Sequence, residues 1–302
     1  MSADKTGRPL EIGRAQFLEE LRVGLENRHG YAAGKVGNTE RAVLLYPFVR
    51  ERFLEPSQIR AFELALANQA LRNGGVFPTD RDFLRRFSQA YGRAVTRLDC
   101  VGLVPDTHAA DLRLVERHGF RGRAIPFTDQ EPDRSAPSDE SRCYLPFLRG
   151  RHLLIVSPFA GLLRERATRE TFEAVWSKTG KSWFEPASVQ ALEFPYGYSP
   201  ATWNRYPTAL ELFAEVRDRM GALTYDAALI GAGLLGNLLA AAAKESGRVA
   251  ISLGGHLQIL FGVNGPRWRD RVNWRRKYFN DAWIELPESA KPGAGESDEN
   301  YW

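Results

Sequence analysis

The sequence predicts an α/β protein in which helices flank a Rossmann-like, mostly parallel sheet and the N-terminal part is helical. The strongest observation concerns residues 225–262, whose pattern predicts a strand, a glycine turn, a helix of small residues, a second strand and a helix that follows two glycines. In addition, strand-like and helix-like patterns alternate from residue 98 onward. Parallel strands need right-handed crossovers, and such sheets bind ligands beyond the carboxyl ends of their strands. We therefore expect a ligand site at the glycine-rich strand ends.

The N-terminal third is predicted to be mainly helical. Apolar side chains recur at helical spacing in residues 14–27, 57–72 and 80–95. A short strand is predicted over residues 31–36. Asn38 is a favourable N-cap residue, so a further helix is expected to begin there.

The rest of the chain alternates between the two patterns. Besides the two strands of the opening βαβ unit, Ala227 to Ile230 and Val249 to Leu253, strands are predicted over residues 98–104, 123–127, 152–157 and 189–194. Helices are predicted over residues 109–118, 161–178, 208–220 and 234–244. Residues 128–142 are polar, contain prolines and lack periodicity, which favours a mobile loop.

Composition limits the classes of protein to which the chain can belong. Its 302 residues, 43% hydrophobic and 26% charged, suffice for a real core. The net charge of +4 is too small to indicate a nucleic-acid partner but permits an anionic ligand. Cys100 and Cys143 match neither a metal-binding spacing nor a secreted disulfide framework. No export signal or membrane-spanning stretch is found, so we expect a cytoplasmic protein, with peripheral membrane contact left open.

The organisation along the chain is expected to be simple. A single α/β domain is predicted over residues 14–285. A flexible lead, residues 1–13, precedes it, and a polar tail, residues 286–302, follows it.

Three glycines, Gly231, Gly233 and Gly236, follow the first strand of the βαβ unit as GxGxxG. Free N–H groups and the helix dipole favour a phosphate there, as in an NAD(P)-dependent oxidoreductase. However, the next strand ends at Ser252 instead of a ribose-binding acid, and a second nucleotide-binding half does not fit in the remaining chain. NAD is therefore not expected. Glycines that only allow close strand-to-helix packing, and a mononucleotide or sugar-nucleotide site, both remain open.

Further polar groups are predicted at the same edge of the sheet. Gly254, Gly255, His256 and Gln258 follow the last strand of the βαβ unit, where they suit a diphosphate or a sugar hydroxyl. Ser157 ends the strand over residues 152–157 and is in the right topological place to contact a ligand. Against these roles, a lone histidine is more often a hydrogen-bonded structural residue, and Ser157 with the proline after it could simply begin a helix.

A basic and aromatic stretch covers residues 267–278, in which arginines and a lysine alternate with Trp268, Trp274 and Tyr278. A solvated surface with the apolar parts of its side chains buried explains this pattern. Contact with a phosphate or a lipid diphosphate near the cleft explains it as well. A nucleic-acid surface is the weakest interpretation, since the rest of the chain supplies no supporting motif.

Four segments carry a resemblance to a known family. They are GKVGNTER near the N-terminus, LLIVSPFAG in the middle, IGAGLLGNLLAAAAKESGRVAISLGGHLQILFGVNGPRW, and the closing NDAWIELPE with the terminal ENYW. On these segments the chain resembles the GT-D type of glycosyltransferase fold, a Rossmann-like architecture of nucleotide-sugar enzymes in bacterial polysaccharide and glycoprotein assembly. The resemblance implies a nucleoside-diphosphate-sugar donor and transfer of the sugar to a hydroxyl on a glycan or lipid-linked acceptor.

The resemblance also implies a site at the GKVGNTER segment. In similar glycosyltransferases a GDGE loop places an Asp-x-Glu pair against the metal and diphosphate of the donor, and here Gly37, Asn38 and Glu40 match it. Asn38 and Glu40 are thus implied to be catalytic and to ligate Mn²⁺ or Mg²⁺. Asn38 offers a neutral oxygen where the family has a carboxylate, which weakens the expected metal binding and makes a non-catalytic nucleotide-sugar binder the alternative. For a general base, the sequence offers only Glu193 and Asp226 near strand ends.

Overall fold

The computed structural model describes residues 8–49 and 55–291. Eight of the described strands form one all-parallel sheet in the order β1-β4-β3-β2-β8-β7-β5-β6, and β9 and β10 form a separate parallel pair. The strands are β1 Leu10–Glu11, β2 Tyr31–Val36, β3 Cys100–Leu103, β4 Arg123–Pro126, β5 His152–Val156, β6 Ser188–Leu192, β7 Ala227–Ile230, β8 Val249–Ser252, β9 Val263–Asn264 and β10 Ile284–Glu285. The predicted fold class, a Rossmann-like sheet with flanking helices, is confirmed.

Helices cover both faces of this sheet. They are α1 Arg14–Glu26, α2 Asn38–Val49, α3 Pro56–Arg72, α4 Arg81–Arg97, α5 His108–Arg117, α6 Phe127–Gln130, α7 Ala160–Arg166, α8 Arg169–Val175, α9 Pro200–Arg205, α10 Ala209–Gly221, α11 Leu235–Glu245, α12 His256–Leu260, α13 Pro266–Arg269 and α14 Val272–Lys277. Among the described residues, none of these helices combines the length and the apolar character needed to cross a bilayer.

Each face of the sheet has its own hydrophobic core. Because side chains alternate along a strand, Leu154 and Val156 of β5 join the core under α2, α4, α10 and α11. Leu153 and Ile155 of the same strand join the core under α1, α7, α8 and α12. The inner strands β2, β3, β5, β7 and β8 are therefore buried on both sides, as is usual in parallel sheets, whereas the edge strands β1 and β6 are more exposed.

Several predicted boundaries needed correction. The helix predicted over residues 161–178 is two helices, because Thr168 begins α8 by accepting a hydrogen bond from the N–H of Thr171 (3.2 Å). The lead is not wholly separate from the domain, since β1 pairs with β4 at the edge of the sheet. The predicted tail begins within the fold, because Leu286 is buried and Tyr196 Oη donates to the carbonyl of Ala290 (3.0 Å). Residues 1–7 and 292–302, with the terminal ENYW, lie outside the described residues.

The sheet opens between its two central strands. Strand β2 pairs with β3 as far as Val36 but with β8 only as far as Ala33. Beyond that point Asn237 of α11 replaces β8 as the partner of Lys35, accepting from its N–H (3.3 Å) and donating to its carbonyl (2.9 Å). Gly34 permits this approach, since a Cβ there would lie 2.4 Å from Asn237 Oδ1. The carboxyl ends of β2 and β8 are thereby held apart.

We predict that Asn237→Ala lowers the free energy of unfolding by about 2–4 kcal/mol. The substitution leaves the buried backbone groups of Lys35 without partners, each at a cost of about 1–3 kcal/mol. It also removes the hydrogen bond from Asn237 Nδ2 to Tyr91 Oη (2.7 Å). Urea denaturation measures the change. Gln16→Ala, which removes an exposed amide on α1, is the control and should change stability by less than about 0.5 kcal/mol; equal losses in the two variants would contradict this role for Asn237.

Candidate functional site

A cleft lies at the carboxyl ends of the central strands, where β2 and β8 separate. Its cavity volume is about 400 Å³, which falls in the ~300–1,000 Å³ range of small-molecule sites. Its walls come from the loop after β2, the glycine loops after β7 and β8, the start of α6, and the segment from Arg267 to Arg271. This is the place in the topology where open parallel sheets bind ligands.

Ten of the residues that the sequence nominates for binding or catalysis border this region. Seven line the cleft itself: Gly37, Asn38, Glu40, Gly233, Gly254, Gly255 and His256. The other three, Ser157, Gly231 and Gln258, line an apolar pocket that adjoins the cleft and shares Gly233, Gly254 and Gly255 with it. The turn near the N-terminus and the glycine loops near the C-terminus therefore face a common space. The binding and catalytic roles of these residues stay predictions.

The loop after β2 is held by its own side chains. Glu40, in the first turn of α2, accepts a hydrogen bond at Oε2 from the N–H of Gly37 (3.1 Å). Asn38 is the first residue of α2 and is exposed. The prediction that its side chain caps the helix is wrong, because Asn38 already lies in the first turn and its Oδ1 accepts from Arg41 Nη1 (3.3 Å). Burial raises the pKa of Glu40, although Lys35 and the N–H groups around the carboxylate oppose the shift.

The prediction of a mobile loop over residues 128–142 is wrong for its first part. Residues 127–134 form α6 and a short 3₁₀ helix, and Glu131 and Asp133 are fully buried, with 0% exposure. Sequence reasoning missed them because acidic residues among prolines, without apolar periodicity, look like a solvated loop. The sequence did contain one signal for this burial. Lys35 interrupts an otherwise apolar run in β2, and a charge in a buried strand requires a counter-charge from elsewhere in the chain.

Glu131 is the centre of an ionic cluster at the side of the cleft. Its Oε1 lies 2.9 Å from Lys35 Nζ and 2.7 Å from His256 Nδ1, and the latter two atoms lie 3.1 Å apart. Arg134 Nε lies 2.7 Å from the other oxygen as an ion pair. Burial favours the neutral acid, but the charges of Lys35, His256 and Arg134 outweigh it and lower the pKa of Glu131 to about 2. Three separate chain segments, β2, α12 and the segment after β4, thus meet at one carboxylate.

Asp133 lies behind His256 in the same cluster. Its Oδ2 is 3.8 Å from His256 Nε2, and both carboxylate oxygens are buried without a hydrogen-bond partner. Burial raises the pKa of Asp133, against the opposing effect of His256. This carboxyl therefore favours its neutral form more strongly than Glu131 does.

Two groups of side chains near the cleft contain possible ligands for a divalent cation, and they differ in the number of carboxylates that they provide. Asn38 and Glu40 provide one carboxylate between them, and Glu40 Oε2 is already engaged by the N–H of Gly37. That pair does not fit a metal bound to a diphosphate. Glu131, Asp133 and His256 have ligand atoms within 4.8 Å of one another and could hold a cation. The ammonium group of Lys35, however, already contacts two of these three residues, so a metal would have to displace it.

Positive side chains dominate the lining of the cleft. Four cationic residues, Lys35, Arg134, Arg267 and Arg271, line it together with one carboxylate, Glu40. The basic and aromatic stretch therefore divides into two parts. Arg267 and Arg271 are exposed at the cleft, whereas Trp268 and Trp274 pack inward against His256, with ring centroids 5.6 and 6.2 Å away.

The adjoining pocket is apolar and aromatic. Phe159 and Tyr196 stack with centroids 6.5 Å apart, and Tyr198 lies 5.2 Å from Tyr196. The pocket is small, about 60 Å³, and opens toward the cleft across Gly233 and Gly254. Gly233 has a φ of +52°, and a Cβ there would lie 2.7 Å from the carbonyl oxygen of Gly74, so a larger residue would distort this passage.

Neither residue suggested as a general base lines the cleft. Asp226 precedes β7 and accepts a hydrogen bond from the N–H of His152 at the start of β5 (2.8 Å), which places it at the amino ends of the strands. Glu193 follows β6 at the correct end of the sheet. Its carboxylate, however, accepts from the N–H of Gly161 in α7 (2.7 Å). The suggestion is wrong for Asp226 and unsupported for Glu193.

Comparisons with known proteins give matches in structure and none in sequence. No protein-family model matches the chain, and no curated protein is significantly similar to it. One solved structure, described as the domain of unknown function 1792 with a distinct glycosyltransferase fold, is 13% identical, with a TM-score of 0.44 over 93% of each chain. A second structure of a domain of unknown function 1792, solved with selenomethionine, is 11% identical, with a TM-score of 0.46 over 93% of each chain. A third is described as a new glycosyltransferase from Streptococcus sanguinis and is 12% identical, with a TM-score of 0.45 over 94% of this chain and 96% of that one.

We predict that Glu131→Gln lowers the free energy of unfolding by about 3 kcal/mol at neutral pH, because it leaves Lys35 and His256 without their buried counter-charge. Since the folded-state pKa of Glu131 lies below its ordinary value of 4.5, this stabilisation is present above pH 4.5 and disappears as the pH falls toward 2. Denaturant titrations across this pH range measure it. Glu19→Gln, which removes an exposed ion pair with Arg22, should leave stability nearly unchanged. A stability difference between wild type and Glu131→Gln that is constant from pH 7 to pH 2 would contradict the prediction.

Proposed function

We propose that this protein is a glycosyltransferase that binds a nucleoside-diphosphate sugar in the cleft and transfers the sugar to a hydroxyl group of a glycan or lipid-linked acceptor. The observation that carries the proposal is the charge of the cleft. Among the described residues, four cationic side chains and two glycine loops converge at the carboxyl ends of β2, β7 and β8, and one carboxylate lines the cleft with them. Such a surface suits a diphosphate more than a neutral metabolite.

The cleft and the apolar pocket together suit an amphipathic donor. The cationic cleft would take the diphosphate, and the flat base of the nucleotide would lie across the mouth of the aromatic pocket, which at about 60 Å³ is too small to enclose it, against Tyr196 and the glycine loops. The two compartments meet at Gly233 and Gly254, which lack side chains that would separate them. The sugar would then lie toward the open side of the cleft, where an acceptor can reach it.

In the transfer step, the acceptor oxygen forms a bond to the anomeric carbon while the bond from that carbon to the phosphate oxygen breaks. The bonding electrons leave with the nucleoside diphosphate, whose negative charge increases. The cationic side chains of the cleft stabilise this charge. The proton of the acceptor hydroxyl needs a base. Glu40 is the carboxylate among the described residues that line the cleft, and its raised pKa suits this role.

A non-catalytic nucleotide-sugar binder is the second candidate. The observation that favours it is Asn38, which is neutral where the family pattern has a carboxylate. A binder would be stabilised by nucleotide sugars without turning them over, so the two candidates differ in one measurable property.

We predict that Glu40→Gln reduces transfer or hydrolysis of the preferred nucleotide sugar at least about 100-fold, because the amide cannot accept the proton. The measurement is release of nucleoside diphosphate from a panel of nucleotide sugars. Glutamine keeps an oxygen for the N–H of Gly37, so folding should survive. Glu211→Gln is the matched control: Glu211 caps α10 in the same way, by accepting from the N–H of Thr208 (3.0 Å), but does not line the cleft.

Full turnover in folded Glu40→Gln would remove Glu40 from the mechanism. Thermal stabilisation of the wild type by a nucleotide sugar, with no turnover under any condition, would favour the binder over the transferase.

A further inference from the structure

We infer that the protein's own Lys and Arg side chains neutralise the diphosphate of the donor, so that nucleoside diphosphates bind without a divalent cation. This inference rests on the proposed function, because it concerns the ligand of the same cleft. It departs from the metal-dependent site that the resemblance to GT-D enzymes implies.

The first argument is the weakness of the metal ligands at the diphosphate. The matching pair contains one carboxylate instead of two, and the amide of Asn38 carries no charge. Glu40 Oε2 already accepts a hydrogen bond from the N–H of Gly37 (3.1 Å). Hard cations such as Mg²⁺ are held chiefly by anionic oxygens. This site lacks one carboxylate, and an oxygen of the other is already engaged by the N–H of Gly37, so we expect it to bind a metal weakly.

The second argument is that two cations are fixed in place beside the cleft. Lys35 Nζ is held by its ion pair with Glu131 Oε1 (2.9 Å) and lies 3.1 Å from His256 Nδ1, which contacts the same carboxylate oxygen. Arg134 lies between two rings, 5.5 Å from the centroid of Phe127 and 5.7 Å from that of Trp274. Side chains held in this way lose little entropy when an anion binds, so their charge acts at low cost.

The third argument is the charge balance. Glu131 pairs with Lys35 and Arg134 at the cleft wall, so with Glu40 and Glu131 both ionised the four cationic residues of the described cleft exceed these carboxylates by two. Arg267 and Arg271 are exposed and can close on a phosphate with the paired N–H groups of their guanidinium ions. Positive charge of this size matches what a departing nucleoside diphosphate requires. A bound metal would add to an already cationic site.

Isothermal titration calorimetry with UDP, GDP, ADP and dTDP tests the inference, each titrated once in EDTA and once in excess Mn²⁺. We expect at least one of them to bind, with dissociation constants in the two buffers within about threefold of each other. Arg271→Ala should weaken binding in EDTA about tenfold, since it removes a charge-assisted contact. Arg276→Ala, in the same basic stretch but outside the cleft, is the matched control and should bind like the wild type.

The outcomes separate the two claims. Binding that appears only with Mn²⁺, or an Arg271→Ala variant that binds like wild type in EDTA, would overturn the metal-free inference and leave the proposed function standing. Binding of no nucleoside diphosphate or nucleotide sugar in either buffer would overturn the proposed function, and the inference with it.

Asn38→Asp provides a second, independent test. Restoring the carboxylate should weaken UDP binding in EDTA by repulsion and restore it on addition of Mn²⁺, so that the variant depends on metal where the wild type does not. Equal responses to Mn²⁺ in the variant and the wild type would show that charge at position 38 does not govern metal use.

Discussion

The buried carboxylate of Glu131 is the interaction on which the site depends most. Its side chain has no exposed surface, yet it pairs with Lys35 from β2, His256 from α12 and Arg134 from its own segment. An isolated carboxylate in this position would be expelled or protonated, because burial strongly disfavours its charge. The three partners reverse that preference. Glu131 in turn holds β2, the start of α12 and the segment after β4 in fixed positions relative to one another. These positions determine the shape of the cationic wall of the cleft.

The opening of the sheet is the second constraint, and it has a separate cause. A parallel pair normally continues until one strand ends, but β2 and β8 separate while β2 still runs beside β3. The unpaired backbone of Lys35 would cost too much if buried alone. Asn237 supplies a donor and an acceptor from one amide, so the strands can separate without an unsatisfied peptide group. Lys35 therefore has two roles at the site. Its backbone lies where the pairing of β2 with β8 has ended, and its side chain lines the cleft.

The sequence predicted the sheet well and the ionic cluster not at all. Strands such as β2 and β7 are short apolar runs next to glycines, and their local pattern determines both their bounds and their place at the ligand edge. The strand order was not predictable in the same way, because β2 pairs with β8 across more than two hundred residues. Gly37, Gly233, Gly254 and Gly255 reach one cleft with Asn38, Glu40 and His256, because parallel strands bring their carboxyl ends together. Glu131 and Asp133 gave no periodic signal, since their burial arises from long-range charge pairing and not from an apolar face.

The neutral residue at position 38 and the cationic lining of the cleft are best understood together. A diphosphate site needs positive charge, which a protein can supply through a metal held by carboxylates or through its own Lys and Arg side chains. Each carboxylate added for a metal also repels the diphosphate when the metal is away, whereas a guanidinium group attracts it at all times. In this chain one carboxylate is missing, another closes the first turn of α2, and the buried carboxylate of Glu131 is paired with Lys35 and Arg134. Glu131 therefore positions cations, and these cations line the cleft.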